Sequence, residues 1–249
     1  MIRSFKYFLL VFIIFHAVFA QAQDGGQRGK GTRKTPVAQT KISFSPVLGF
    51  YKANKHHAGR ATPKMAFCFS LKEEVRIDKK SKSFIGIGVD YMLHGVKFNS
   101  YYFAKDSLKL YNGNMNAEYN LTVQELNFPI YIKRSFQRED NALLSGYVFA
   151  GYNYRVLIKS VMSVSYYGNE VAYDDGNLQF KIPAFSKANS SFLSAGAGFQ
   201  RNNPNRHKSF YAELQFKYGL SPLYIRQPYA PNSLYINSHF VYLTVGLKV

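Results

Sequence analysis

Residues with the types and spacing to do chemistry are few in this chain. Ser238 and His239 stand side by side, the types a hydrolase needs as nucleophile and base. A nucleophile must hydrogen-bond its base, and a third group must orient that base. Neighbouring positions on one strand point to opposite sides, and no acid lies nearby in sequence, so the pair is not a catalytic unit by itself. His56 and His57 could ligate a metal, but adjacent side chains diverge and no further ligand follows at a metal-binding spacing. Cys68, the single cysteine, sits between Phe67 and Phe69 and reads as a small buried residue without a disulfide partner. There is no glycine-rich phosphate loop and no nucleophile elbow. These observations lead to the expectation of a chain that is not an enzyme and holds no metal or cofactor. The enzymatic alternative is a lipid-modifying hydrolase using Ser238 and His239.

The remaining reactive residues are charges set into alternating runs. Between Gln124 and Phe136, Leu126, Phe128, Ile130 and Ile132 share one face of an extended strand, and Glu125, Asn127, Tyr131 and Lys133 share the other. The same pattern recurs. Ile85, Ile87, Val89 and Tyr91 oppose Gly86, Gly88, Asp90, Met92 and His94. Asn153 and Arg155 oppose Tyr152, Tyr154 and Val156. Phe210, Ala212, Leu214 and Phe216 oppose Tyr211, Glu213, Gln215 and Lys217. Further runs cover residues 41–51, 65–72, 193–200 and 241–249. With one face wholly apolar and the other polar and charged, the runs fit a barrel with lipid outside and a polar lumen inside. Asp90, His94, Glu125, Lys133, Arg155, Glu213 and Lys217 are then the candidate lumen network. Charges in such an interior must be paired and hydrogen-bonded. Glu125 and Lys133, eight positions apart, lie roughly 27 Å from each other along one strand, so each needs a partner elsewhere. By sign, Asp90, Glu213 and Lys217 are the candidates.

These runs predict an all-β chain forming an eight-stranded antiparallel up-and-down transmembrane β-barrel over residues 41–249. The connections alternate, with charged turns such as 78–83, 138–141 and 201–208 between longer loops such as 52–64, 101–120, 159–189 and 221–237. Short turns on one side and long loops on the other are the expected asymmetry of an outer-membrane barrel. Ahead of the barrel, residues 1–22 read as a signal peptide. Arg3 and Lys6 precede an apolar run from Phe8 to Phe19 and an Ala20-Gln21-Ala22 cleavage site. Residues 23–40, rich in Gly, Gln, Lys and Arg, read as a flexible basic periplasmic lead-in. The expected location is the outer membrane.

The formal net charge is +18, with 20 Tyr, 22 Phe and no Trp. An exported chain rarely meets nucleic acid, and no recognition motif is present, so no nucleic-acid partner is expected. The expected partner is outer-membrane lipid. Lys52, Lys55, Arg60 and Lys64 form a basic loop that could contact the phosphates of lipopolysaccharide.

The stretch Glu125-Leu126-Asn127-Phe128-Pro129-Ile130-Tyr131-Ile132-Lys133 resembles a strand of the PorT-like outer-membrane β-barrel family of Bacteroidota. So do Gly88-Val89-Asp90-Tyr91 with Gly95, the step Tyr218-Gly219-Leu220 and the ending Thr244-Val245-Gly246-Leu247-Lys248. The family commonly ends in Phe, whereas this chain has Val249. The resemblance covers about residues 40–249 and implies an outer-membrane barrel of Gram-negative bacteria with a structural, adhesive or assembly role, and a part in secretion or gliding machinery. A small passive channel is the other non-enzymatic reading.

Overall fold

The computed structural model describes residues 38–53, 61–77, 82–100, 116–136, 144–167, 178–183, 189–201, 209–225 and 234–248. Residues 1–37, where the sequence predicts a signal peptide and most of a basic lead-in, the turn expected at 138–141, His56, His57, Lys55, Arg60 and Val249 lie outside these residues. The described residues form eleven strands: β1 (Ala38–Ala53), β2 (Ala61–Pro63), β3 (Ala66–Arg76), β4 (Ser83–Ser100), β5 (Asn116–Phe136), β6 (Leu144–Tyr167), β7 (Leu178–Pro183), β8 (Asn189–Arg201), β9 (Ser209–Gly219), β10 (Leu223–Ile225) and β11 (Leu234–Lys248).

Eight of them close a ring of antiparallel neighbours in the order β1-β3-β4-β5-β6-β8-β9-β11, and β11 pairs back onto β1. Each wall strand lies beside its neighbours in chain order, which is up-and-down connectivity. Closure leaves the eight wall strands no unpaired edge along the ring. The three short strands extend the wall at the long-loop end, where β2 pairs β4, β7 pairs β6 and β10 pairs β11.

Several boundaries differ from the sequence reading. The first strand begins at Ala38 rather than residue 41, because Ala38, Gln39 and Thr40 already pair with Val75, Glu74 and Glu73 of β3. The loops expected at 101–120 and 159–189 are shorter, because β5 starts at Asn116 and β6 continues to Tyr167. Composition misled here: Asn116–Gln124 and Lys159–Tyr167 mix polar with apolar residues, but they pair with each other as one ladder.

The alternation read from sequence sets the two sides of the wall. Ile42, Phe44, Leu48, Ile85, Ile130, Ile132, Leu193, Phe216, Leu243 and Val245 are exposed on the outside. On the inside, buried residues are largely polar or charged. That is a globular protein turned inside out. Along β5 the apolar outer positions run from Leu126 to Ile132, between Gln124 and the exposed Arg134. Ten residues at about 3.4 Å, tilted by about 40°, give a band roughly 26 Å tall, the height of the apolar belt of an outer-membrane barrel. Exposed Lys82, Arg134 and Arg201 mark its short-turn border, and Lys52, Lys97 and Lys159 the opposite one.

One irregularity matters. The β5–β6 register shifts between Gln124 and Glu125, which pair with Lys159 and Leu157, so Ile158 is an extra residue. This bulge switches the inward-facing parity of β6. Below it Asn153 and Arg155 are buried; above it the buried residue is Met162.

Candidate functional site in the barrel lumen

The lumen is filled by side chains in tiers. At the short-turn end, Glu74 on β3 is the centre. Its Oε1 accepts from Lys41 Nζ at 2.9 Å and from the Tyr131 hydroxyl at 2.9 Å, and its Oε2 pairs with Lys133. Lys41 also reaches Glu213 at 2.8 Å, and the Tyr147 hydroxyl donates to the same Glu213 oxygen at 2.8 Å. The run Glu213–Lys41–Glu74–Lys133 crosses from β9 to β5. Glycines make room for the tyrosines that serve it. A Cβ on Gly198 would sit 2.8 Å from the Tyr147 ring, so that ring lies flat against the wall. Tyr131 covers Gly86 in the same way.

In the middle tier Lys217 Nζ donates to Asp90 Oδ2 at 2.8 Å. Their strands, β9 and β4, are four places apart in the ring of eight, so this pair spans the full width of the lumen. Tyr242 reaches across to Met92 Sδ at 3.0 Å. Above, His94 is held between the Tyr51 hydroxyl at 2.9 Å and Glu125 Oε2 at 3.1 Å. Arg155 stands 3.5 Å from the same carboxylate oxygen and stacks over the Phe192 ring at 4.7 Å. The top tier is apolar, with Val96, Phe98, Leu121, Val123 and Met162 buried and the Phe98 and Tyr119 rings stacked 5.1 Å apart.

All seven candidate lumen residues turn inward and are buried, Asp90, His94, Glu125, Lys133, Arg155, Glu213 and Lys217 being no more than 5% exposed. Their pairing differs from the sequence expectation. Asp90 and Lys217 take each other, Glu125 takes His94 and Arg155, and Lys133 takes Glu74. Glu74, Lys41 and Lys72 were missed. Parity would have found Lys41, which shares its face with Ser43 and Ser45 opposite Ile42 and Phe44. Lys72 and Glu74 continue the face of Cys68 and Ser70, but the strand was expected to end at residue 72.

The Ser238 and His239 side chains face opposite sides of the wall. Ser238 is buried in the interior with its hydroxyl unpartnered, while His239 lies half-buried outside, accepting from the Gly219 amide at 3.3 Å and stacked on Tyr218 at 4.5 Å. The sheet separates nucleophile from base. Replacing both with alanine is expected to leave lipid A unchanged by mass spectrometry, and a changed acylation pattern would restore the hydrolase reading. Cys68 is buried beside Ser70, 3.7 Å from its hydroxyl. No group of three or more His, Cys, Asp or Glu fit to hold a metal occurs among the described residues.

Of the basic loop, Lys52 is exposed at the end of β1. Lys64 donates to Thr122 Oγ1 at 3.3 Å. Partial burial, and then the neighbouring Lys97, push the Lys64 ammonium pKa down. Lys97 is itself paired with Glu118 at 3.2 Å.

The sequence matches no family model and no curated protein. Among solved structures, the outer membrane protein OprG from Pseudomonas aeruginosa aligns over 85% of this chain and 95% of its own length, at 12% identity and a TM-score of 0.56. Neisserial surface protein A aligns over 85% and 96% at 12% identity and a TM-score of 0.39. The protease OmpT of Escherichia coli aligns over 88% and 98% at 13% identity and a TM-score of 0.44. The fold is that of an eight-stranded outer-membrane barrel.

Proposed function

We propose that the chain is an integral outer-membrane β-barrel with a structural, adhesive or secretion-assembly role, and that it is neither an enzyme nor a channel. The observation that carries the membrane reading is the inverted side-chain distribution. Aliphatic and aromatic residues cover the outer band, whereas Lys41, Lys133, Lys217, Glu74 and Glu125 are buried inside. In water that exposed band would be a contiguous apolar patch far beyond the few hundred Å² that soluble monomers tolerate. In lipid it is the favourable solvent-facing surface, with its rims of Lys and Arg at the height of lipid headgroups.

The filled lumen supports a role without transport. An ion passing through would have to part Asp90 from Lys217 and the Glu74 cluster, each already desolvated and paired. Reconstituted in a planar bilayer, the protein is expected to give no conductance steps; steady unitary currents would return the passive-channel reading. The same preparation should fractionate with outer membranes and migrate faster on gels before boiling than after. Recovery as a detergent-free soluble monomer would end the membrane reading.

Export by the segment 1–22 is supported by Arg3 and Lys6, the apolar run from Phe8 to Phe19 and the Ala20-Gln21-Ala22 step; membership of the PorT-like barrels of Bacteroidota and a link to secretion or gliding machinery are supported by the short sequence resemblances. A gene neighbourhood containing secretion components would favour the assembly role. The lipid partner follows from location. Lys52 and Lys64 belong to the rim where lipopolysaccharide phosphates would lie; Lys55 and Arg60, the other two residues of that expected contact, lie outside the described residues.

A further inference from the structure

At the short-turn end of the lumen, positive charge outnumbers negative charge. The register sets Lys248 of β11 opposite Lys41 of β1, and Lys41 opposite Lys72 of β3. Three lysines therefore stand side by side on three adjacent strands. All point inward and are buried, with exposures of 9%, 0% and 4% for Lys248, Lys41 and Lys72. Like charges directly opposite on a sheet repel, and removal from water strengthens the repulsion. Lys133 adds one more cation on the inner face of this end. The carboxylates facing them are Glu74, shared by Lys41 and Lys133, Glu213, shared by Lys41 and the Tyr147 hydroxyl, and Asp90, which is paired with Lys217 and also attracts Lys72. Lys248 forms no ion pair with any carboxylate among the described residues.

The wall around Lys248 carries a second set of unmet groups. Ser209 is its cross-strand neighbour on β9, and Tyr211 and Ser43 flank Gly246 on either side. The Ser209 hydroxyl is buried without a hydrogen-bond partner, and those of Tyr211 and Ser43 lie beside each other with no further partner. Over Gly246 lies the Tyr211 ring, 2.6 Å from where a Cβ would be, with the Ile42 carbonyl equally near. Buried ammonium groups in excess and hydroxyl donors without acceptors share one missing element, an anion that accepts several hydrogen bonds.

We propose that this cup is a binding site for a small oxyanion, a phosphate or a carboxylate group, held by Lys248, Lys41 and Lys72 with donation from Ser209 and Tyr211. Lys248, the most exposed of the three lysines, is the entry contact. The site is a property of the folded barrel and does not rest on the membrane reading.

The test is thermal unfolding of the full-length protein in detergent, followed by gel mobility, with sodium phosphate or sodium acetate titrated against sodium chloride at constant ionic strength. A saturating anion is expected to raise the midpoint by about 5 °C. Stabilisation by phosphate alone would identify a phosphate site, and by acetate a carboxylate site. In Lys248→Gln the effect should vanish, while the midpoint in chloride stays the same or rises because a repulsion is gone. Ser209→Ala, which leaves the charges intact, should weaken the effect at least several-fold in half-saturating concentration. A midpoint that follows ionic strength alone, or an anion effect equal in the wild type and Lys248→Gln, would overturn the proposal.

Discussion

Glu74→Leu is expected to lower the stability of the refolded barrel by about 3–5 kcal/mol, the usual cost of stripping the partner from a buried charge. The arrangement around Glu74 explains why it is the worst single residue to lose. Lys41 would keep Glu213, but Lys133 has Glu74 as its carboxylate and otherwise faces the rings of Phe84 and Tyr147 at 4.8 Å each. The Tyr131 hydroxyl would lose its acceptor as well. The reciprocal change is milder. Lys133→Leu leaves Glu74 with Lys41 and Tyr131, so the expected loss is that of one charged hydrogen bond, about 1.5–3 kcal/mol. The double variant Glu74→Leu, Lys133→Leu should recover part of the Glu74→Leu loss, because no unpaired ammonium remains at 133. Urea titrations of vesicle-refolded protein read all three. An equal cost for the two single variants, or strict additivity in the double, would mean that the short-turn cluster is not organised around Glu74.

Ile130→Lys should fail differently. Ile130 is 58% exposed in the middle of the apolar band, two positions from Phe128 on one side and Ile132 on the other. A lysine there would sit near the bilayer midplane at a cost of about 2–4 kcal/mol. No lumen substitution should relieve it, since the wall lies between the new charge and every buried carboxylate. The cost should also shrink when the same protein is refolded in detergent micelles, where the ammonium can reach water. A neutral Ile130→Lys in vesicles would take that face out of lipid and leave a water-soluble barrel as the reading.

The two outcomes rest on features of very different visibility in the sequence. Strand β5 could be read directly, because Leu126 to Lys133 alternates without a break and its polar face carries both charge and an aromatic. Strand β6 resisted because Ile158 is bulged: a period-two reading carried through it puts Met162 on the wrong side. The seven lumen residues were legible because a charge opposite an apolar face has nowhere to go but inward. Their partners were not. Pairing across the lumen depends on the closure order and the tilt of the ring, and neither leaves a local mark. Asp90 and Lys217, 127 positions apart, meet only once β4 and β9 stand on opposite walls. Glu74 was hidden by its neighbour Glu73, since two consecutive acids before a charged turn look like the turn itself. One of them faces out towards Thr40, with a 2.6 Å hydrogen bond, and the other faces in.

The seam between β1 and β11 joins the two ends of the chain, Lys41 opposite Lys248 and Ala53 opposite Ile236. That makes the order of events in folding unusually strict. Hairpins such as β8–β9 can form as soon as they are made, whereas the seam needs a loop of some two hundred residues to close, with an entropic cost that nothing local repays in advance. Until the last strand arrives, β1 and β9 remain open edges, each flanked by an apolar face, which is a template for pairing with another copy. Barrel formation is therefore a single late step that commits the whole chain at once, and the time before it is when this protein most needs to be kept apart from itself.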